Sequence, residues 1–256
     1  MTHVVVGYPT LSASIELARR MLKIGVDALE LQIPFSDPVA DGPVIMDAND
    51  MALRQGVRVK DCFSTMKHLS ATTQTPLYFM GYYNTVFRYG VNKFARDAKL
   101  AGARGLIIPD IPPEEEHHEH FLAACKHYHL HRIGVISPAS TNTRIIKNSQ
   151  VSSGFLYCLA HMGVTGSQKQ LSPDLIQYLS NVRTLTDLPL AVGFGISSPE
   201  HIKALVGHAD IAVVGSAIIE HLNQGGIASA IKFIRSLLPG KDSNLDNQIQ
   251  NLRSYH

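Results

Sequence analysis

Ala28-Leu29-Glu30-Leu31-Gln32-Ile33-Pro34-Phe35-Ser36-Asp37-Pro38-Val39-Ala40-Asp41-Gly42-Pro43 contains the pattern from which the rest of the chain is read. Its first six residues form a short, mostly apolar run that stops at a proline and passes into a loop held by further prolines and a glycine. Runs of this kind are expected of strands buried on both faces in a parallel sheet. The same pattern returns at Val4–Gly7, Leu77–Met80, Gly105–Ile108, Ile133–Ile136, Phe155–Leu159, Leu190–Val192 and Ile211–Val214. Between these runs lie segments of helical period, among them Ser12–Ile24, Val91–Ala101, Glu116–Tyr128, Pro173–Arg183 and Pro199–Val206. Ser198-Pro199-Glu200 places serine at an N-cap and proline in the first turn. Eight strands, each followed by helix, predict an α/β fold, a single (β/α)8 TIM barrel over residues 1–238. An open doubly wound sheet shares that periodicity, and counting strands does not show closure.

Composition narrows the setting. The 256 residues are 45% hydrophobic, enough for one large core, and barrels of this type reach ~250 residues as one domain. Charged residues make up 17%, below the usual share of about a quarter, which fits a compact enzyme rather than a disordered chain. A net charge of +2 gives no electrostatic case for nucleic acid or a membrane surface. Cys62, Cys125 and Cys158 lie far apart with no C-x-x-C pair. That points away from a disulfide framework or a zinc site and toward a reducing cytoplasm. There is no signal-peptide pattern at the N-terminus, and no apolar run approaches the ~20 residues that span a bilayer. Residues 239–256 are rich in Asn, Gln, Ser and Asp and are expected to form a polar tail. The tail either adds a short helix at Leu245–Leu252 or frays. With the first strand beginning almost at Met1, either lower stability or a barrel bottom covered by other residues, the tail among them, is expected.

Three glycine sites follow the last three strands: Gly163-Val164-Thr165-Gly166, Gly193-Phe194-Gly195 and Gly215-Ser216. Glycine lets backbone N–H groups approach an anion closely, and a following helix adds aligned N–H groups. Each site alone also reads as an ordinary βα turn. Together they favour phosphate, which these barrels commonly hold after strands seven and eight. Glu30 is out of place in an apolar run, because a buried carboxylate is expensive unless it is paired or used. Asp37 and Asp41 sit in the rigid loop that follows, where they either present a second carboxylate to the barrel mouth or cap turns. Tyr82, Tyr83 and Tyr157 stand at strand ends, where lining a planar pocket and packing in the core are both open. The cluster Glu114-Glu115-Glu116-His117-His118-Glu119-His120 has no third ligand at metal spacing and is read as a solvated helix start.

The segment from Leu29 to Pro43 closely resembles the signature of tryptophan synthase alpha chains. Agreement continues through Tyr82-Tyr83-Asn84, Pro109-Asp110-Ile111-Pro112-Pro113-Glu114-Glu115, Gly163–Gly166, Gly193–Glu200 and Gly215-Ser216, and covers about Val4 to Leu238. This resemblance implies retro-aldol cleavage of indole-3-glycerol phosphate to indole and glyceraldehyde 3-phosphate, without metal or cofactor in this chain. By position, Glu30 matches the family's catalytic glutamate and Asp41 its catalytic aspartate. Phosphate is expected on backbone N–H groups around Gly166, Gly195, Gly215 and Ser216. Tyr157, Phe194, Ile107, Ile136 and Tyr82 are expected around the indole. Thr165 matches a threonine of a lid spanning roughly His161–Gln170. Membership also implies a partner beta chain carrying pyridoxal phosphate, in an alpha2beta2 heterotetramer docked through the loops after strands two and six.

The chain departs from many relatives at Gln32, where they have glycine, and at His161, where they have arginine. Gln32 is expected either outside the barrel or in the pocket, reshaping it. Two other readings stay open at this point: a free-standing indole-3-glycerol-phosphate lyase, and a non-catalytic activator of the beta chain. Retention of both Glu30 and Asp41 weighs against the activator, which needs neither.

Overall fold

The computed structural model describes residues 1–159, 173–193 and 195–238. Its strands are β1 (Thr2–Val5), β2 (Leu29–Gln32), β3 (Leu77–Met80), β4 (Gly105–Ile107), β5 (His131–Ile136), β6 (Leu156–Leu159), β7 (Leu190–Gly193) and β8 (Ile211–Val213). They pair in chain order, each parallel to the next. The ring closes where His3 N donates to Val214 O at 3.0 Å and Val214 N to Met1 O at 3.1 Å. These bonds decide between barrel and open sheet, because an open sheet leaves β1 and β8 unpaired.

The surrounding helices are α1 (Leu11–Lys23), α2 (Pro43–Arg54), α3 (Val59–Ser70), α4 (Tyr83–Tyr89), α5 (Val91–Leu100), α6 (Glu116–Glu119), α7 (Phe121–His127), α8 (Asn142–Val151), α9 (Pro173–Leu185), α10 (Pro199–Leu205) and α11 (Ser216–Leu237). Alternation along the strands builds two cores. Leu29, Leu31, Phe79, Leu106, Leu156 and Val192 face outward and are buried under the helices. Tyr78, Met80, Ile107, Ile133, Ala191 and Val213 face inward and fill the barrel. At the N-terminal end of the strands Tyr78 meets Phe155 edge to face, with centroids 5.3 Å apart. Met1 and Ala28 join that cluster, so the floor is plugged by the barrel's own residues. The tail, residues 239–256, lies outside the described residues.

Three sequence expectations change. The first strand runs from Thr2 rather than Val4, which brings His3 into the sheet as the register partner of Glu30. The segment Glu116–Tyr128 is two helices, broken at His120, whose φ of 54° is left-handed. The break is stabilised by the Glu116 carboxylate, which accepts the Leu122 and Ala123 N–H groups at 2.5 and 2.9 Å and caps α7. Ser198 has N-cap backbone angles, but its side chain makes no capping bond; Pro199 alone supplies the expected start signal.

Candidate active site

The alternation of β2 turns Glu30 and Gln32 into the barrel, where each is buried. An ionised carboxylate at such a place needs a partner. Glu30 finds it across the sheet: His3 Nδ1 stands 3.2 Å from Glu30 Oε1, and both side chains are almost wholly enclosed. Burial opposes charge on His3, but the Glu30 carboxylate outweighs it by charge and hydrogen bond. The Asp41 charge and Gln32 add to this, and the His3 pKa rises above the ordinary histidine value.

Asp41 reaches the same place from the loop after β2. Asn49 on α2 holds that loop, accepting Phe35 N at 3.1 Å and donating to Ile45 O at 2.8 Å. The turn closes with Asp41 N on Pro38 O at 2.9 Å, and Phe35 stacks on Tyr82 at 5.1 Å. Two donors converge on Asp41 Oδ2: Gln32 Nε2 at 2.6 Å and the Tyr82 hydroxyl at 2.9 Å. Burial is the largest influence on Asp41 and lifts its pKa, against the lowering effect of His3 and the two hydrogen bonds. The Tyr82 hydroxyl, itself held protonated by burial and the Asp41 charge, accepts Ala40 N at 3.1 Å and so fixes the loop to β3. Asp37, by contrast, is exposed and takes no part.

Three buried polar atoms here have no partner among the described residues: Glu30 Oε2, Gln32 Oε1 and His3 Nε2. Unsatisfied groups of this kind are costly and mark places where a bound molecule completes the hydrogen bonding. The wall beside them is apolar and aromatic. Ile107 and Tyr82 are buried on it, and Tyr157 stands half-buried on β6 with its ring toward both carboxylates. Burial, with the charges of Glu30 and Asp41, keeps the Tyr157 hydroxyl protonated. A Cβ added at Gly193, the last residue of β7, would lie 2.9 Å from that hydroxyl, so glycine gives the Tyr157 ring its room.

Ile136 does not join this wall. Ile133 and Val135 pack in the inner cluster, whereas Ile136 pairs with Cys158 and packs in the outer one. A strand's period of two sends neighbours to opposite faces. Phe194, Thr165, Gly166 and the lid span His161–Gln170 lie outside the described residues.

The glycine turns share the mouth. Gly193 and Val213 are register partners, so Gly195 and Gly215 each follow two residues beyond adjacent strand ends. Gly195 has φ of 76°, which only glycine adopts without strain, and open space where a Cβ would stand. Gly215 caps α11 and Ser216 begins it, so the first N–H groups of that helix point to the mouth side of β8. A Cβ on Gly215 would sit 3.3 Å from Ile45 and 3.6 Å from His3. The carboxylate end and the glycine end are thus parts of one site.

Sequence reasoning passed over His3 and treated Gln32 only as a departure. For Gln32 the signal was available, since it is a polar residue within the same apolar run as Glu30, whereas His3 precedes the run Val4–Gly7. What sequence lacks is the cross-strand register that makes His3 a partner of Glu30.

Such a mouth belongs to a TIM-barrel enzyme that carries out acid–base work on a ligand with a flat apolar body and an anionic end. Comparison with known proteins narrows the class. The family model for the tryptophan synthase alpha chain matches residues 1–242. The alpha chain of Desulfotalea psychrophila is 46% identical over 237 residues, covering 93% of this chain and 92% of the relative. That of Roseiflexus sp. strain RS-1 is 42% identical over 242 residues, covering 93% and 92%. Among solved structures, Mycobacterium tuberculosis tryptophan synthase superposes with a TM-score of 0.85 at 35% identity, over 92% of this chain and 89% of that one. The chain belongs to the tryptophan synthase alpha chain family, whose lyase reaction cleaves indole-3-glycerol phosphate.

Proposed function

We propose that Glu30 and Asp41 carry out the cleavage of indole-3-glycerol phosphate in this chain, as part of tryptophan biosynthesis. Indole is a poor leaving group until its C3 is protonated. Glu30 is the general acid and base, giving a proton to C3 and taking one from the glycerol hydroxyl. Asp41 binds the indole N–H and stabilises the positive charge that develops on the ring. The observation that carries this reading is the unpartnered Glu30 Oε2, buried beside the aromatic wall with Asp41 clamped on the neighbouring loop.

Tyr82, Ile107, Tyr157 and Phe194 enclose the indole in this reading. Gly195, Gly215 and Ser216, with Gly166, hold the phosphate by backbone N–H groups, and Thr165 belongs to the lid. The chain needs no cofactor of its own, and pyridoxal phosphate resides in a partner beta chain. Two alpha chains dock on a beta dimer through the loops after β2 and β6. Val39, at the tip of the first of these loops, is an apolar side chain left 81% exposed. The setting is the cytoplasm, and no helix among the described residues is long and apolar enough to cross a membrane.

The test is cleavage by the purified chain, with and without a beta chain, beside Glu30→Gln. We expect slow cleavage alone, strong stimulation by the beta chain, and a loss of ~10²–10⁴ in the variant. Strong activity without the beta chain would instead identify a free-standing lyase. No cleavage in any mixture, with beta activity still raised, would identify a non-catalytic activator.

A further inference from the structure

The reaction assigned above moves a proton from a hydroxyl to a carbon and consumes none, yet it begins with a proton already on the acid. Glu30 does not stand alone in holding it. His3 Nδ1 and Glu30 Oε1 face each other at 3.2 Å on paired strands, both buried. Beside them Glu30 Oε2, His3 Nε2 and Gln32 Oε1 are left without partners among the described residues. Gln32 in turn grips Asp41 at 2.6 Å, so one row of side chains runs from the acid–base pair to the second carboxylate.

We propose that His3 is a positioning residue that stores the working proton of the cleavage with Glu30. The inference rests on the catalytic reading of Glu30 given above. Between turnovers the proton resides on the imidazole, and Glu30 is its carboxylate counter-ion. In the reacting tautomer the Nδ1 proton has crossed to Glu30, and neutral His3 keeps its other proton on Nε2 with Nδ1 now an acceptor. The carboxylic acid so formed gives that proton to indole C3, leaving a carboxylate beside His3. That carboxylate takes the glycerol hydroxyl proton as the carbon–carbon bond breaks and its electron pair returns to the indole ring. The hydroxyl carbon becomes the aldehyde, and the pair ends with the one proton it began with. Turnover therefore persists to the pH at which the pair loses that proton, which the imidazole sets.

Besides Glu30, the charged group that acts on His3 is Asp41 from the loop after β2. Near the two carboxylates stand Tyr157 from β6 and Tyr82, which follows β3 and donates to Asp41, while Tyr78 of β3 packs inside the barrel and the Met1 amino group bonds Ala212 O at 2.8 Å and feels Asp27 and Glu30. The tyrosines stay protonated across the range of interest, raised by burial. The Met1 amino group is present equally in wild type and in His3 variants, so the comparison between them isolates His3.

The experiment measures kcat and KM against pH for the wild-type chain with its beta partner, and for His3→Asn and His3→Phe. The first variant keeps a hydrogen-bond donor without titrating, and the second keeps a ring without nitrogen. We expect the alkaline limb of kcat to move down by about one pH unit or more in both, so that kcat above the limb falls about tenfold per unit while KM stays nearly constant. Separately, NMR titration of the histidine rings, with His3 assigned by its absence from His3→Asn, should show the His3 pKa falling in Glu30→Gln. The proposal is overturned if folded variants keep the wild-type limb, or lose activity by one factor at all pH values, or if the His3 titration ignores Glu30→Gln. No cleavage by the wild-type complex overturns the assigned reaction and this proposal together. Cleavage with unshifted limbs overturns this proposal alone.

Discussion

Asp41, the second carboxylate of the proposed catalytic pair, illustrates how such a residue weighs on its own protein. Its pKa is raised by burial despite the hydrogen bonds from Gln32 and Tyr82. A carboxyl group with a folded pKa above its unfolded value binds its proton more tightly in the native state. Ionised Asp41 therefore reduces stability at neutral pH, and that penalty disappears as pH falls through its raised pKa. Asp41→Asn should melt at the same temperature as wild type or higher at pH 7, with any advantage vanishing in acid, while cleavage is lost. Calorimetry at pH 7 and in acid checks this, and a melting point several degrees lower in the variant at pH 7 would contradict it. Legibility at this scale followed charge. Glu30 was readable because an acid stands out in an apolar run, and Asp41 because prolines frame it. His3 was not, because its meaning is a 3.2 Å contact with a residue 27 positions away in sequence.

Strands and turns place these groups. β7 ends in Gly193 because Tyr157 on the neighbouring strand leaves no space for a Cβ, the nearest approach being 2.9 Å to the hydroxyl. Gly193→Ala should push the Tyr157 ring into the indole space, raising KM for indole-3-glycerol phosphate at least several-fold and lowering stability by about 1–3 kcal/mol. Steady-state kinetics with urea unfolding checks both, and unchanged KM would show that the ring does not bound the substrate. The strand cores were legible from apolar runs, since β2, β3, β4, β6 and β8 fall wholly within the expected segments, whereas β7 runs one residue past its own and β1 and β5 begin two residues early, before their apolar runs. Facing was not always legible. Ile136 ends a uniformly apolar run, and only its pairing with Cys158 shows that it packs outward. The division of Glu116–Tyr128 at His120 was also hidden, because the Glu116 carboxylate that caps α7 acts from the helix before it.

In the whole molecule, the proposed partnership with a beta chain predicts a defined assembly. Light scattering of an equimolar mixture with the beta chain should give two alpha chains per beta dimer, and Val39→Ser should weaken that assembly and its stimulation while the isolated chain keeps its basal cleavage. A Val39→Ser chain that associates and responds as wild type would remove the loop after β2 from the interface. Sequence by itself determined the alternation of strand and helix, the family, and the two carboxylates, because each is written in local pattern: periodicity, a charge among apolar residues, prolines around a loop. Tertiary structure alone decided that the sheet closes, through the bonds of Val214 to Met1 and His3. It also decided that His3 pairs with Glu30 and that Gln32 turns inward to hold Asp41 rather than outward. These depend on register between strands distant in the chain. Hydrogen-bond geometry sets that register only once the barrel has formed.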